Sequence, residues 1–455
     1  MAMRRVIIAA PLVALILGAS LSYGRAQSFK VPFTQFQLDN GLRVVLSEDH
    51  TAPVVAVAIY YDVGSRNEAH GRSGFAHLFE HMMFQGSENV GKAEHFKYIE
   101  ANGGIMQGST HSDYTNYYEF LPSNRLELAL WLESDRMRSL KITPENLKNQ
   151  QEAVKEEKRL NYDNQPYWPA LIKMDEMVFS NWANAHSSIG STEDLDAANV
   201  GDVQSFFDTY YAPNNAVLAI AGDIDGAQAE SLVRKYFNSI PRQKAPPPVD
   251  VTEPAEVVRR SAVADDAHAE MPAIAIAWKI PARRTQDFYP VALLKSILFD
   301  GESARLYQRL IKDRAVSLEV SGTLEERRGP GQAAMFSIHK PDVKGEQVQA
   351  IVEAEIERVK NEGVSVDELT KARNQYRLGQ FMGGGDGEYT SLQTPLGRAL
   401  ALAEFTMFDG DPSLINTEMD RYLAVTPAQV RDAARRYFDM ANAAVLYIRP
   451  ANEKR

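Results

Sequence analysis

The chain has 455 residues, 44% hydrophobic and 24% charged, with a formal net charge of −11 and no cysteine. This is globular composition, long enough for two domains and for a core that needs no disulfide. An acidic balance with no dense Lys/Arg cluster argues against nucleic acid as the main partner, and the missing cysteine excludes a lipid-anchored lipoprotein.

At the start, Arg4 and Arg5 precede an apolar run from Val6 to about Ser22, which ends in small residues around Gly24 and Ala26. This three-part layout reads as a secretory signal peptide, residues 1–26, cleaved after Ala26. The run is short for a membrane span and carries Pro11, so no stable membrane anchor is expected. Export without disulfides fits the bacterial periplasm.

Further on, "FQLDNGLRVVLSED" reads as a hairpin about Asp39-Asn40-Gly41, and "PVVAVAIYYDVGS" (Pro53 to Ser65) as a buried strand. A helix comes next over "GFAHLFEHMMFQGS" (Gly74 to Ser87), and helical apolar spacing returns in "RLELALWLESDRM" and "LKNQQEAVKEEKRL". The stretch "PRQKAPPPVDVTEPAE" (Pro241 to Glu256) has five prolines and no periodicity. It marks a linker, set at 245–256, between a first domain at 27–244 and a second at 257–455. The two sides resemble each other. "DVQSFFDTYYAPNNAVLAIAG" and "AQVRDAARRYFDMANAAVLYIRP" both read helix, turn, strand, with Val203 and Val430, and Tyr210 and Tyr437, each pair 227 residues apart. Such a repeat implies two domains of one fold, but only the first contains an HLFEH stretch.

On a helix, His77 and His81 lie on one face a turn apart, and Glu80 borders that face. Two neutral imidazoles so placed suit one zinc ion, and a carboxylate beside them suits the removal of a proton from water. The bare HxxEH pattern arises by chance in about one chain in a hundred of this kind. The apolar surroundings strengthen it, because unpaired polar groups are costly to bury there. A catalytic zinc needs a third protein ligand. Glu157 has Ala153, Val154 and Leu160 at i−4, i−3 and i+3 and so faces inward, whereas Glu152 and Glu156 fall on the polar side. The Gly-rich "FMGGGDGEY" (Phe381 to Tyr389) has no phosphate-loop spacing, so nucleotide binding is not expected.

With these residues in view, the sequence resembles the pitrilysin-like inverzincin metallopeptidases, relatives of insulin-degrading enzyme and the mitochondrial processing peptidase, in their short bacterial two-domain form. "DNGLRVVLSED", "VGSRNE", "TNYYEF", "STEDL" and "YYAPNNAVLAIAGDID" read as landmarks in family order, and Glu157 stands 76 residues beyond His81, the family's spacing. The resemblance implies an α+β fold of two homologous domains, each a mainly antiparallel sheet packed with helices. It implies one zinc per chain held by His77, His81 and Glu157, with Glu80 as catalytic base. Peptide substrates would be enclosed in a clamshell chamber and added as a strand to an edge in "IMQGSTHSDYTNYYEF", at Gln107, Gly108, Ser109 and Thr110. Active members also carry an arginine and a tyrosine seven apart in the second half. Those positions fall here on Ile311 and Leu318 in "RLIKDRAVSLEV". The expected protein is therefore the zinc-bearing subunit of a heterodimer whose homologous partner supplies Arg and Tyr. The alternatives are a homodimeric peptidase acting alone or a non-catalytic scaffold.

Overall fold

The computed structural model describes residues 29–254, 260–383 and 391–451. The expected signal peptide lies outside the described residues, as do 384–390 of the Gly-rich stretch. Contacts divide the chain into Met1–Lys30 and the compact unit Val31–Arg455, and the second unit holds every described helix and strand.

The hairpin forms as the turn residues demand. Strands β1 (Thr34–Gln37) and β2 (Arg43–Glu48) pair antiparallel around Gly41, whose φ is 95°. Asn40 fixes the turn by donating to the carbonyls of Phe237 and Ile240 at 2.8 and 3.0 Å. Strands β3 (Val54–Tyr61), β4 (Ile105–Thr110), β5 (Thr115–Pro122) and β6 (Ala216–Gly222) complete a six-stranded sheet in the order β1-β2-β6-β3-β5-β4. Between β3 and β4 lie helices α1 (Phe75–Met82) and α2 (Glu94–Ala101). After β5 come α3 (Leu126–Ser139) and α4 (Pro144–Lys158). Helix α4 starts cleanly, because Thr143 accepts from the Asn146 amide and Pro144 occupies the first turn.

The second half repeats the pattern. Strands β7 (Arg260–Asp266), β8 (Ala273–Ile280), β9 (Ser317–Glu325), β10 (Gly331–His339) and β11 (Ala443–Pro450) form a sheet in the order β7-β11-β8-β10-β9. The parallel pair β2–β6 matches the parallel pair β7–β11, and the remaining pairs are antiparallel in both sheets. The repeat seen in the sequence is thus a repeat of topology, with β1 added at one edge.

Alternation explains how the sheets are covered. In β3 and β6, Val55, Val57, Ile59, Leu218 and Ile220 face the helices of the first half. Ala56, Ala58, Ala219 and Ala221 face the other way, onto the helix Pro395–Phe408 of the second half. In β8, Ile274, Ile276 and Trp278 face helices of the second half. Ala273, Ala275 and Ala277 instead face Ala170, Met174, Val178 and Phe179 of the first half. The alanine rows let a foreign helix approach closely, so each half covers one face of the other's sheet.

The proline-rich connection is irregular yet held in place. Residues 241–254 have no regular structure, but the end of this stretch is docked. Glu253 accepts from the Ser180 amide at 3.0 Å and from Asn184 at 2.8 Å, and pairs with Lys279 at 2.9 Å. Proline content marks a segment that cannot join a helix or sheet, not one that is free to move.

Leu402 lies fully buried in the borrowed cover of the first sheet. Leu402→Ala is expected to lower unfolding stability by about 3 kcal/mol, read from denaturant midpoints. A loss below about 1 kcal/mol would show that the cover is dispensable.

Candidate metal centre

Helix α1 carries no side-chain cap of its own, and it begins at Gly74, whose φ is 82°. A distant carboxylate does the capping. Glu68 accepts from the amides of Gly74 and Ala76 at 2.9 and 2.7 Å, and His186 Nε2 stands 3.0 Å from it. His186 stacks on Trp182 at 4.1 Å, and the Trp182 indole donates to the Glu68 carbonyl at 2.8 Å. Asp194 accepts from the Ser73 amide at 2.9 Å just upstream. Gly74 and Gly190 touch so closely that a Cβ on Gly190 would sit 2.5 Å from Gly74 Cα. These contacts fix where α1 points and how the loop at Ser188 and Ile189 lies against it.

From α1, the His77 and His81 rings meet edge to face with centroids 4.8 Å apart. Glu157, near the end of α4, reaches both: Oε1 lies 3.7 Å from His77 Nε2 and Oε2 lies 3.2 Å from His81 Nε2. Three donors around zinc at about 2.0–2.1 Å would be separated by roughly 3.4 Å, so this nitrogen and oxygen set fits zinc. His77 Nδ1 is buried without a hydrogen-bond partner among the described residues, so that ring is oriented by helix geometry and packing. Glu156 is turned away, half exposed and paired with Arg159 at 2.6 Å, as the apolar stripe implies.

The electrostatics separate the groups. Burial, with His81 adding to it, pushes the His77 pKa down to about 4, which keeps the imidazole neutral and able to ligate. His81 moves up: burial opposes its cation, but the hydrogen bond and charge of Glu157 and the charge of Glu80 outweigh that. The His81 hydrogen bond holds Glu157 below the usual carboxylate range. Burial raises Glu80. Thr110 Oγ1 donates to Glu80 Oε2 at 2.7 Å and so fixes the carboxyl from the sheet side.

His77, Glu80 and Glu157 line a cavity of about 220 Å³ with Gly108, Ser109, Thr110, Tyr162, Ser188 and Ile189. Three of the four expected substrate contacts are therefore at the cavity. Gln107 does not line it: its side chain, like that of Ser109, alternates away from Glu80, and the Tyr118 hydroxyl donates to it at 2.9 Å. A side chain at position 108 would crowd the site, because a Cβ there meets Tyr117 Cδ1 at 2.9 Å and Glu80 Cγ at 3.2 Å. β4 is the last strand of its sheet, so the outer edge of Ile105–Thr110 pairs with no strand among the described residues.

Two further findings depart from expectation. Leu160, which the apolar stripe places inward, is 48% exposed. The helix widens after Lys158 into a turn over Arg159–Asp163, closed by the Asn164 amide donating to the Arg159 carbonyl at 2.9 Å, and this rotates Leu160 outward. Tyr162, Ser188 and Ile189 reach the cavity with no signal in spacing or composition. In the second half, Leu318 is half exposed on the edge strand β9, and among the described residues nothing beyond residue 189 lines the cavity. Arg305 is held by Glu368 and Glu355, and Arg309 by Glu355 and Asp313. A second cluster, His95, Glu119 and Glu133, is fully buried, but Arg136 pairs with Glu133 and lies 4.3 Å over the Tyr117 ring, which makes it an internal ion-pair network.

Comparison with known proteins places the chain among relatives of one peptidase family. The family model described as Insulinase (Peptidase family M16) matches residues 43–180, and that described as Peptidase M16 inactive domain matches residues 197–376. Zinc protease PqqE of Helicobacter pylori is 28% identical over 362 residues, covering 78% of this chain and 80% of its own. The crystal structure of a protease from Helicobacter pylori superimposes with a TM-score of 0.86 at 24% identity, covering 93% of this chain and all of that one. The first half of the periplasmic protease PqqL from Escherichia coli does so with a TM-score of 0.73 at 19% identity, covering 94% of each.

The Glu68 cap generates a direct expectation. Glu68→Ala leaves two amides and a buried imidazole without their acceptor and should cost about 3 kcal/mol of stability in a denaturant titration. An unchanged midpoint would show that α1 is held by packing alone.

Proposed function

The chain belongs to peptidase family M16, and on that premise we propose that it is a zinc-dependent endopeptidase subunit acting on peptides or unfolded segments. The observation that carries this reading is the convergence of His77 Nε2, His81 Nε2 and the two Glu157 oxygens beside a separately held Glu80. His77, His81 and Glu157 hold one zinc per chain. The metal, when bound, supplies Lewis acidity that lowers the pKa of water and polarises a carbonyl.

The remaining work falls to the protein's own groups. An extended peptide adds to the free edge of β4, with backbone pairing along Gln107–Thr110, which lays a scissile bond across the cavity. Glu80, fixed through one oxygen by Thr110, takes a proton from the attacking water with the other and delivers it to the leaving amine. Its burial makes it a stronger base than an exposed glutamate. Neutral His77 stays a ligand across the physiological range.

Export through a cleaved signal peptide would place the protein in the periplasm. The described residues contain no helix long and apolar enough to cross a membrane. Ile311 and Leu318 offer no donor, and Arg305 and Arg309 are already paired, which supports completion of the site by a homologous subunit carrying Arg and Tyr.

Metal analysis of the purified protein should give about one zinc per chain, with His77→Ala and Glu157→Gln losing it. Glu80→Gln should keep zinc and lose peptide hydrolysis by several orders of magnitude. A Glu80→Gln variant that still cleaves would refute the role assigned to that residue. The partner is tested by isolating the mature chain from its native cell envelope. A stoichiometric second subunit is expected, and full hydrolysis by the single chain, with nothing else present, would exclude it.

A further inference from the structure

One phenol in the cavity is unaccounted for. Tyr162 lines it together with His77, Glu80 and Glu157. Its ring packs against the first-half core and meets Trp168 edge-on at 5.5 Å, so the ring is held. Its hydroxyl has no hydrogen-bond partner among the described residues, in contrast to Tyr118, which donates to Gln107, and Tyr167, which donates to the Met271 carbonyl. In a regular helix, residues five apart are rotated by about 140°, and Tyr162 would turn away from Glu157. The wide turn over Arg159–Asp163 has more residues per turn and so reduces that rotation, and Tyr162 lines the cavity beside Glu157. The turn is stapled by the Asn164 amide at 2.9 Å, by Gln165 donating to the Leu160 carbonyl at 2.9 Å, and by a Lys158–Asp163 ion pair at 2.5 Å. Wide turns of this kind distort a helix, and here the distortion brings a phenol to the cavity and sends Leu160 into solvent.

We propose that Tyr162 is a catalytic residue that donates a hydrogen bond to the oxyanion formed when water adds to the scissile peptide carbonyl. A phenol is a donor at neutral pH and can rotate its O–H toward charge as that charge develops. No proton is transferred: the hydrogen bond strengthens as the carbonyl oxygen becomes anionic and relaxes as the carbonyl reforms and the amine leaves. The inference rests on the peptidase reading above and adds a donor that the chain itself supplies.

The test is Tyr162→Phe, which keeps the ring and its contact with Trp168. It is made on the mature protein with any subunit that co-purifies. Zinc content, thermal stability, hydrolysis of a fluorogenic peptide, and calorimetric affinity for a phosphinic peptide, which mimics the tetrahedral adduct, are measured in parallel. The expected result is unchanged zinc and stability, KM within about twofold, and a fall of about 100-fold in both kcat and phosphinic-peptide affinity. Unchanged kcat and phosphinic affinity would overturn the inference and leave the peptidase reading intact. Loss of stability with KM and kcat both altered would make Tyr162 a packing residue and overturn it as well. A zinc-loaded wild-type protein that neither cleaves peptides nor binds the phosphinic peptide would overturn both readings together.

Discussion

A sheet that is apolar on both faces needs two covers, and each half of this chain brings helices enough for one. The second cover is exchanged. The helix Pro395–Phe408 lies on the alanine face of the first sheet, and residues 167–185 lie on the alanine face of the second. Neither half can bury its sheet alone without leaving a row of alanines and valines in water. This exchange makes Val31–Arg455 a single compact unit and explains why the proline-rich connection is tied down at Glu253. It also stiffens the strands that carry the site. With β3 and β6 clamped from both sides, β5 and β4 are positioned from one rigid edge, and the outer side of β4 is left without a strand partner among the described residues.

The site depends on that rigidity because its groups come from far apart in the chain. His77 and His81 are placed together by one turn of α1, but Glu157 arrives on α4, and Thr110 on β4 sets the fourth group, Glu80. The aim of α1 is set in turn by Glu68, Ser73 and the close approach of Gly74 and Gly190. Within the cavity, burial acts oppositely on the two kinds of group. It lowers His77 and favours the neutral ligand form; it raises Glu80 and makes it the stronger base. Glu157 escapes the upward shift because His81 hydrogen-bonds it. Two carboxyl groups in one small cavity are thereby pushed in opposite directions, the arrangement by which neighbouring acids take different tasks.

Each signal in the sequence is legible only over the range on which its physics acts. The HxxEH spacing and the inward face of Glu157 are local consequences of helical periodicity, and both appear in the structure. The repeat is legible because helix, turn and strand recur in the same order, and the two sheets share their pairing pattern. Periodicity fails where the helix stops being regular. The wide turn after Lys158 has no residue signature, so a regular helix puts Leu160 inward and gives Tyr162 no place at the site. Gln107 shares a strand with Gly108, Ser109 and Thr110, yet strand alternation by itself separates it from Gly108. Glu68 stands inside a landmark, "VGSRNE", but its capping role needs the fold, since the amides it serves are six and eight residues on. The exchange of helices is written in "VVAVAIYY" and "AIAIAWKI", where alanine alternates with larger aliphatic residues. Such alternation shows that one face is closely packed without saying which helix packs there.

The contrast between the two halves suggests why the candidate metal centre lies in one of them. After β3 the chain makes α1, with His77, Glu80 and His81 on its surface. After β8, at the equivalent point in the topology, it makes Phe288–Phe299, nearly every residue of which is buried. Placing ionisable groups on a helix that packs against a sheet sacrifices apolar burial and incurs desolvation. A chain with two copies of one fold can accept that penalty once and recover stability in the other copy. The second half thus contributes an almost wholly buried apolar helix at this point and the cover for the first sheet. It keeps the sheet topology, including an edge strand, β9, at the place where the first half has β4. Leu318 is half exposed on that strand, no metal-ligating cluster lies among the described residues of this half, and the half serves the first as a structural partner by packing. Irregular helical turns occur in both halves, over Arg159–Asp163 and Gln308–Asp313, and what the second half gives the first is the helix that secures its outer sheet face.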